Sequence, residues 1–181
     1  MDKQLVRTSK KISFVLRHHP ERIGLALDPY GRVNLSEFLQ KYNHHYQTPI
    51  DKETIEEIAQ KSDKQRFAIE GNTIRALYGH SIPVKPLAPA TMPPEILYHG
   101  TSRVAAELIK AEGLKKMDRT FVHLSAYPPS ALKVGRRHDP KPTILKIAAQ
   151  KAAETGMLFY PTKSGIWLVD YVPAKFIEKY H

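Results

Sequence analysis

Residues 66–77 read RFAIEGNTIRAL, and their alternation decides how the first part of the chain folds. Apolar and polar side chains alternate on either side of Gly71 and Asn72, the composition of a two-residue hairpin turn. If Glu70 opposes Thr73, then Ile69 opposes Ile74 and Phe67 opposes Ala76, and these apolar residues share the buried face. Arg66, Ala68 and Glu70 then share the other face with Thr73, Arg75 and Leu77. On this register Arg66 and Arg75 project together away from the core, a basic face suited to an anion.

Outward from the hairpin, the preceding sequence is helical. Between Val33 and Lys61, NLSEFLQKY offers Asn34 or Ser36 as an N-cap with Phe38 and Leu39 as anchors. DKETIEEIAQKS follows, with Asp51 as cap and Ile55, Ile58 and Ala59 on one face. DPYGR (28–32) is a turn by composition. His44 and His45 fall in a polar connector, with no cysteine or HExxH pattern to make them metal ligands. Further back, Leu5, Ser9, Ile12 and Leu16 lie on one face of an amphipathic helix that Pro20 ends. That helix delivers Arg17 and His18 to its C-terminal rim, where a cation and an imidazole also complement the helix dipole. Helices followed by a hairpin make a winged-helix-like lobe over residues 1–81.

Residues 82–95, IPVKPLAPATMPPE, carry Pro83, Pro86, Pro89, Pro93 and Pro94 and can be neither helix interior nor central strand. They are expected to be a stiff linker. A second lobe spans 96–181. Ile96, Leu97 and Tyr98 form a short strand feeding a His-Gly-Thr turn, and SRVAAELIKAEG is a helix closed by Gly113. FVHLS is a strand, ALKVGRRH a short helix running into a basic loop, TILKIAA a strand and QKAAETG a helical turn. MLFY and GIWLVDYVP read as strands joined across 161–165. Short strands with scattered small helices give an α+β fold.

Lys and Arg number 28 against 18 Asp and Glu, a net charge of +10 that favours a polyanionic partner such as nucleic acid. Absence of cysteine removes disulfides, thiolate catalysis and Cys-based zinc sites. The opening MDKQLVRTSKK lacks the apolar core of a signal peptide, and no apolar run approaches the roughly 18 residues of a spanning helix. A cytoplasmic protein is expected. GxGxxG and GxxxxGK[ST] loops are absent, as is a nucleophile elbow. What remains is a set of Arg and His at element ends: Arg17, His18, Arg66, His99, His123, Arg136, Arg137 and His138. Arginine grips a phosphate dianion bidentately and stays charged at any relevant pH.

The stretches SKKISFVLRHHPERIGLALDPYGRV, DKQRFAI, IRALYGHS, LYHGTS, GLKKMDR, VHLS, VGRRH and FYPTKSGIWLV, in this order, closely resemble the RNA 2′-phosphotransferase family of the KptA type. The resemblance implies an N-terminal winged-helix lobe and a C-terminal NAD-binding lobe of the ADP-ribosyltransferase type. It implies NAD⁺-dependent removal of an internal RNA 2′-phosphate of the tRNA splice-junction type. The phosphate attacks the nicotinamide ribose. The ribose 2″-hydroxyl of the resulting ADP-ribosylated RNA then attacks phosphorus, giving 2′-OH RNA and ADP-ribose 1″,2″-cyclic phosphate, with no metal. The family's Arg-His-Arg-Arg set maps onto Arg17, His18, Arg66 and Arg137, and its NAD contacts onto His99, Gly100, Thr101, His123 and Ser125. Gly100 would let the backbone approach the nicotinamide amide. Two positions depart: Phe121 stands where the family often has His, and Tyr78 where it often has Gln. A mono-ADP-ribosyltransferase for another acceptor is the alternative, but MLFYPTKSGIWLVDY has no Glu to activate one. A non-catalytic basic RNA-binding protein is the third reading, against which all four phosphate residues argue.

Overall fold

The computed structural model describes residues 2–62 and 65–180; Asp63 and Lys64 of the matched DKQRFAI stretch lie outside the described residues. The chain divides into two compact units, Met1–Lys85 and Pro86–His181, a division that falls inside the proline-rich segment.

The first unit begins with helix α1 (Lys3–Arg17), whose first turn is capped by Asp2 accepting from the Gln4 N–H. Ser9, Ile12 and Leu16 of the predicted stripe are at 0% exposure, as is Val15, while Leu5 is half-buried against the same core. A 3-10 turn (Pro20–Ile23) closes on Gly24, whose φ of 68° is the left-handed conformation glycine takes without strain. Strand β1 (Arg32–Asn34) leads into helix α2 (Leu35–Tyr46). Asn34 caps α2 by accepting from Ser36 and Glu37, and Asp51 caps helix α3 (Lys52–Lys61) by accepting from Thr54. Strands β2 (Phe67–Glu70) and β3 (Thr73–Ala76) then pair antiparallel with Phe67 opposite Ala76, Ile69 opposite Ile74 and Glu70 opposite Thr73. This is the predicted register. Ile12, Leu16, Phe38, Tyr42, Ile55, Ile58, Phe67 and Ile74 form one core; truncating a residue such as Phe38 to alanine would cost about 3–5 kcal/mol.

Three expectations fail in this unit. Val33 is in a strand rather than a helix: β1 pairs with β3, Val33 facing Ile74, so the sheet has three strands in the order β1-β3-β2. A three-residue strand is too short to show a period. His44 and His45 belong to the last turn of α2, not to a connector. The exposed Arg66–Arg75 face is also overturned. Arg75 is only 6% exposed, and its Nε and Nη2 donate to the two carboxylate oxygens of Glu70, each at 3.2 Å. Glu70 is its diagonal neighbour on the same face, close enough for a bidentate pair. Arg66 turns elsewhere, toward α1.

The second unit is built on strands β4 (Ile96–Thr101), β5 (Leu114–Lys115), β6 (Val122–Ser125), β7 (Thr143–Ala148), β8 (Tyr160–Pro161), β9 (Ile166–Val169), β10 (Tyr171–Val172) and β11 (Ile177–Lys179). Helices α4 (Arg103–Glu112), α5 (Pro128–Gly135) and α6 (Ala149–Glu154) connect them. Six strands pair antiparallel in the order β11-β7-β4-β6-β9-β8, and β10 pairs with β5 separately. The mixture of helices and antiparallel sheets is α+β, as expected. Leu97, Leu124, Leu145, Ile147 and Phe159 lie at the centre of its core. The His-Gly-Thr turn is corrected: His99, Gly100 and Thr101 are the last residues of β4, opposite Leu145, Ile144 and Thr143 of β7. Gly100 is needed inside that strand because α5 packs directly on it. A Cβ there would sit 1.8 Å from the Ala131 carbonyl oxygen. Gly135 of α5 faces the same spot, where an added Cβ would come within 3.2 Å of the Gly100 carbonyl carbon. Among the described residues, no helix is long and apolar enough to cross a membrane.

Candidate functional site

In the first unit, the C-terminus of α1 and the entry to β2 bring Arg17, His18 and Arg66 together. Pro20 ends the helix so that His18 is its C-cap, with its N–H donating to the Phe14 carbonyl at 3.0 Å. Arg17 donates from Nη2 to the Arg66 carbonyl at 3.1 Å, and its guanidinium lies 4.7 Å from the centre of the Tyr78 ring. Arg66 donates from Nη1 to the hydroxyls of Ser9 (3.3 Å) and Ser62 (3.2 Å). Neutral partners such as these fix a guanidinium without cancelling its charge. The segment after β3 wraps the helix end: Ser81 donates its N–H to the Arg17 carbonyl, and its hydroxyl is 2.8 Å from His18 Nδ1. The result is a half-buried pair of arginines and an imidazole, each anchored by groups far away in sequence. Such an arrangement is preorganised for an anion.

In the second unit, a cleft of about 450 Å³ opens between α4, the end of β4, the 113–117 segment and the start of β6. His99 and Thr101 line it from one face of β4, and His123 from β6. Ile109, Leu114 and Phe121 supply apolar wall. Phe121 rests against Tyr160 at 6.0 Å between ring centres. His99 Nδ1 is 3.1 Å from the His123 carbonyl oxygen, which fixes the proton on Nδ1 and leaves Nε2 as an acceptor. Burial holds the His99 imidazole below the ordinary histidine value; the His123 carbonyl opposes this, and the like charge of His138 adds to it. His99 is therefore neutral at neutral pH. Lys115 and Lys116 stand at the cleft, paired with Glu112 and Asp170.

The sign of the His99 effect on stability can be worked out. An unfolded histidine takes its proton near pH 6.5, the folded one only at lower pH. As pH falls below about 6.5 the unfolded state binds the extra proton, so stability declines with acid. Denaturation followed by Trp167, the chain's single tryptophan and a residue of β9, should show the wild type losing more stability between pH 7.5 and 5.5 than His99→Gln. Equal losses would mean that His99 is not held neutral.

The other residues implied by the resemblance sit differently. Gly100 faces α5 rather than the cleft, so packing explains its missing side chain. Ser125 is buried in β6 opposite Tyr98, and Arg137 is exposed just beyond the end of α5; neither lines the cleft. The α5–β7 loop that carries Arg137 is tied down by Asp139, which accepts from the backbone N–H and Nε of Arg103 at the start of α4. Sequence reasoning missed Ser81 as the partner of His18 and Tyr78 as the platform under Arg17. Both lie in IRALYGHS, but only the wrap of that segment around α1 reveals their use. Met117, in the cleft with a φ of 52°, left no signal in the sequence. Among the described residues, no group of three or more His, Cys, Asp or Glu is gathered as a metal site.

Residues 3–171 match the family model described as RNA 2′-phosphotransferase, Tpt1 / KptA family. A protein of Lacticaseibacillus paracasei named probable RNA 2′-phosphotransferase is 54% identical over 178 residues, covering 98% of this chain and 95% of that one. Proteins of the same name from Acaryochloris marina (45% identical, 97% of each chain) and Bacillus thuringiensis (39% identical, 98% of this chain and 97% of that one) are also similar.

Proposed function

The chain belongs to the RNA 2′-phosphotransferase, Tpt1 / KptA family, and on that premise we propose that it removes an internal 2′-phosphate from RNA by transferring it to NAD⁺. The observation that carries the reading is the linked cluster of Arg17, His18 and Arg66 in one unit. Two guanidiniums can bind a phosphate dianion through paired N–H donors while His18 supplies or accepts a proton at its oxygens. The first unit's element order, α1-β1-α2-α3-β2-β3, supports the winged-helix reading, and the second unit's antiparallel sheet with its cleft supports the ADP-ribosyltransferase reading.

NAD⁺, as co-substrate, supplies an electrophilic ribose carbon and a leaving group, nicotinamide, that needs no proton. The cleft fits the nicotinamide-ribose end of such a ligand: its volume lies in the usual range for small-molecule pockets, and its walls are largely apolar with a few polar groups. Neutral His99 does not repel a cationic ring, and Thr101 and His123 offer further polar contacts. Lys115 and Lys116, which line the cleft, are the cations proposed to meet the ligand's phosphates. The bound 2′-phosphate is the nucleophile of the first step, so the protein's task there is to hold and aim it. The second step yields 2′-OH RNA and ADP-ribose 1″,2″-cyclic phosphate from an ADP-ribosylated RNA 2′-phosphate. It builds charge around phosphorus, and Arg137 is the group proposed to balance that charge electrostatically. The proposal includes no metal and no obligate protein partner, and places the protein in the cytoplasm.

Purified protein given NAD⁺ and an RNA with a single internal 2′-phosphate should produce 2′-OH RNA, nicotinamide and the cyclic phosphate in excess chelator. Dependence on a divalent ion would overturn the proposal. So would nicotinamide release without dephosphorylation, which would favour the mono-ADP-ribosyltransferase reading.

A further inference from the structure

Phe14 is 37% exposed on a helix whose Ile12, Val15 and Leu16 are fully buried. Its ring neighbours include two imidazoles and a guanidinium. The His19 ring centre lies 4.9 Å away at an interplanar angle of 41°, the His18 ring 6.0 Å away, and the Arg22 guanidinium 5.2 Å from the ring centre. Glu21 holds His19 through Nδ1 at 2.9 Å, which orients the imidazole. Arg7 and Lys10 occupy the same outer stripe of α1 as Phe14, at helical spacing, and both are exposed. The helix contains no acidic residue, although acids would suit its first turn. Helix stability does not call for this arrangement. A planar ring flanked by a guanidinium and imidazoles, at the end of a cationic stripe, suits a nucleobase and its backbone.

We propose that Phe14, His19 and Arg22 form a stacking platform for an RNA base beside the 2′-phosphate, with Arg7 and Lys10 following the sugar-phosphate backbone. The proposal rests on the RNA-directed function above. His18 links the two sites, since its ring meets Phe14 and its Nδ1 meets Ser81 beside Arg17. The platform therefore selects single-stranded or unstacked RNA next to the modified nucleotide, because a base locked in a duplex has no free face to offer.

The test is a double-mutant cycle between protein and RNA. Binding is measured for 2′-phosphorylated oligoribonucleotides, unmodified or with one abasic nucleotide at successive positions on either side of the phosphate. Phe14→Ala should weaken binding of the intact oligonucleotide roughly ten-fold. At one position, the abasic change should weaken the wild type by a similar factor and the Phe14→Ala variant hardly at all. Phe14→Trp should restore binding, and a thermal melt of Phe14→Ala should match the wild type. Replacing Arg7 and Lys10 by Gln should lower the slope of log affinity against log salt by about one to two. Wild-type affinity in Phe14→Ala, or losses that simply add at every abasic position, would overturn the platform. If the wild type fails to dephosphorylate the intact oligonucleotide, the RNA 2′-phosphotransferase reading is what has failed.

Discussion

Gly100→Ala should unfold the second unit at a temperature on the order of 10 °C below the wild type, although the change adds a single methyl group. The added Cβ would lie 1.8 Å from the Ala131 carbonyl oxygen and 2.6 Å from its carbon, with the Gly135 nitrogen at 3.0 Å. All three are backbone atoms, so no rotamer change relieves the overlap; α5 has to move off β4 as a body. Overpacking of this kind costs about 3 kcal/mol or more. Gly71→Asn is the control: its φ of 58° is one that Asn tolerates, and nothing lies within 4 Å of the added atom. It should melt close to the wild type. The consequence reaches the chemistry, because β4 presents His99 and Thr101 to the cleft while α5 leads into the loop of Arg137. A variant at residue 100 that folds at the wild-type temperature would show that contact with α5 is not what demands glycine there.

How much of this was legible beforehand varies by element, and for physical reasons. The hairpin was readable to the residue because a two-residue turn and a period of two leave one register with Phe67, Ile69, Ile74 and Ala76 inside. The caps Asn34 and Asp51 were readable because capping is a local interaction. Strands β1, β5 and β11 were not, since two or three residues carry no period and exist only by virtue of their partners, and GIWLVDYVP, read as one strand, is divided at Asp170 into β9 and β10. The period gave the correct face for Arg75 but not its fate, which depended on a bidentate pair with Glu70. Glycine in His-Gly-Thr suggested a turn, whereas its cause is a helix crossing the strand, a tertiary fact. For the site, end-of-element placement made Arg17 and His18 visible. The joining of Arg66 to them runs through contacts 49 and 57 residues apart in sequence. The same placement singled out His99 and His123, Thr101 was named through resemblance, and the neutral state of His99 emerges only from its burial.

Arg17 and Arg137 should fail at different chemical steps, with effects of roughly 100-fold each. Arg17 is pinned before any substrate arrives: Nη2 donates to the Arg66 carbonyl, and the guanidinium plane lies on Tyr78. A cation held this firmly is suited to capturing the 2′-phosphate and aiming it, which is the demand of the first step. Loss of one charge-assisted contact there costs on the order of 3 kcal/mol, or roughly 100-fold in rate. Arg17→Ala should therefore slow RNA-dependent nicotinamide release by about that factor while leaving NAD⁺ affinity unchanged. Arg17→Lys should recover little, because an ammonium cannot donate to the Arg66 carbonyl, stack on Tyr78 and present a planar fork together. Arg66→Ala should resemble Arg17→Ala, since both residues belong to one linked cluster. Arg137, exposed beyond α5 and not anchored in that cluster, is proposed to act when charge accumulates on phosphorus in the second step. Arg137→Ala should then release nicotinamide at close to the normal rate but accumulate ADP-ribosylated RNA 2′-phosphate, a slower band on a denaturing gel, and Arg137→Lys should clear it only partly. If Arg137→Ala instead stalls at unreacted 2′-phosphorylated RNA at every time point, both arginines serve the first step and this division of roles is wrong.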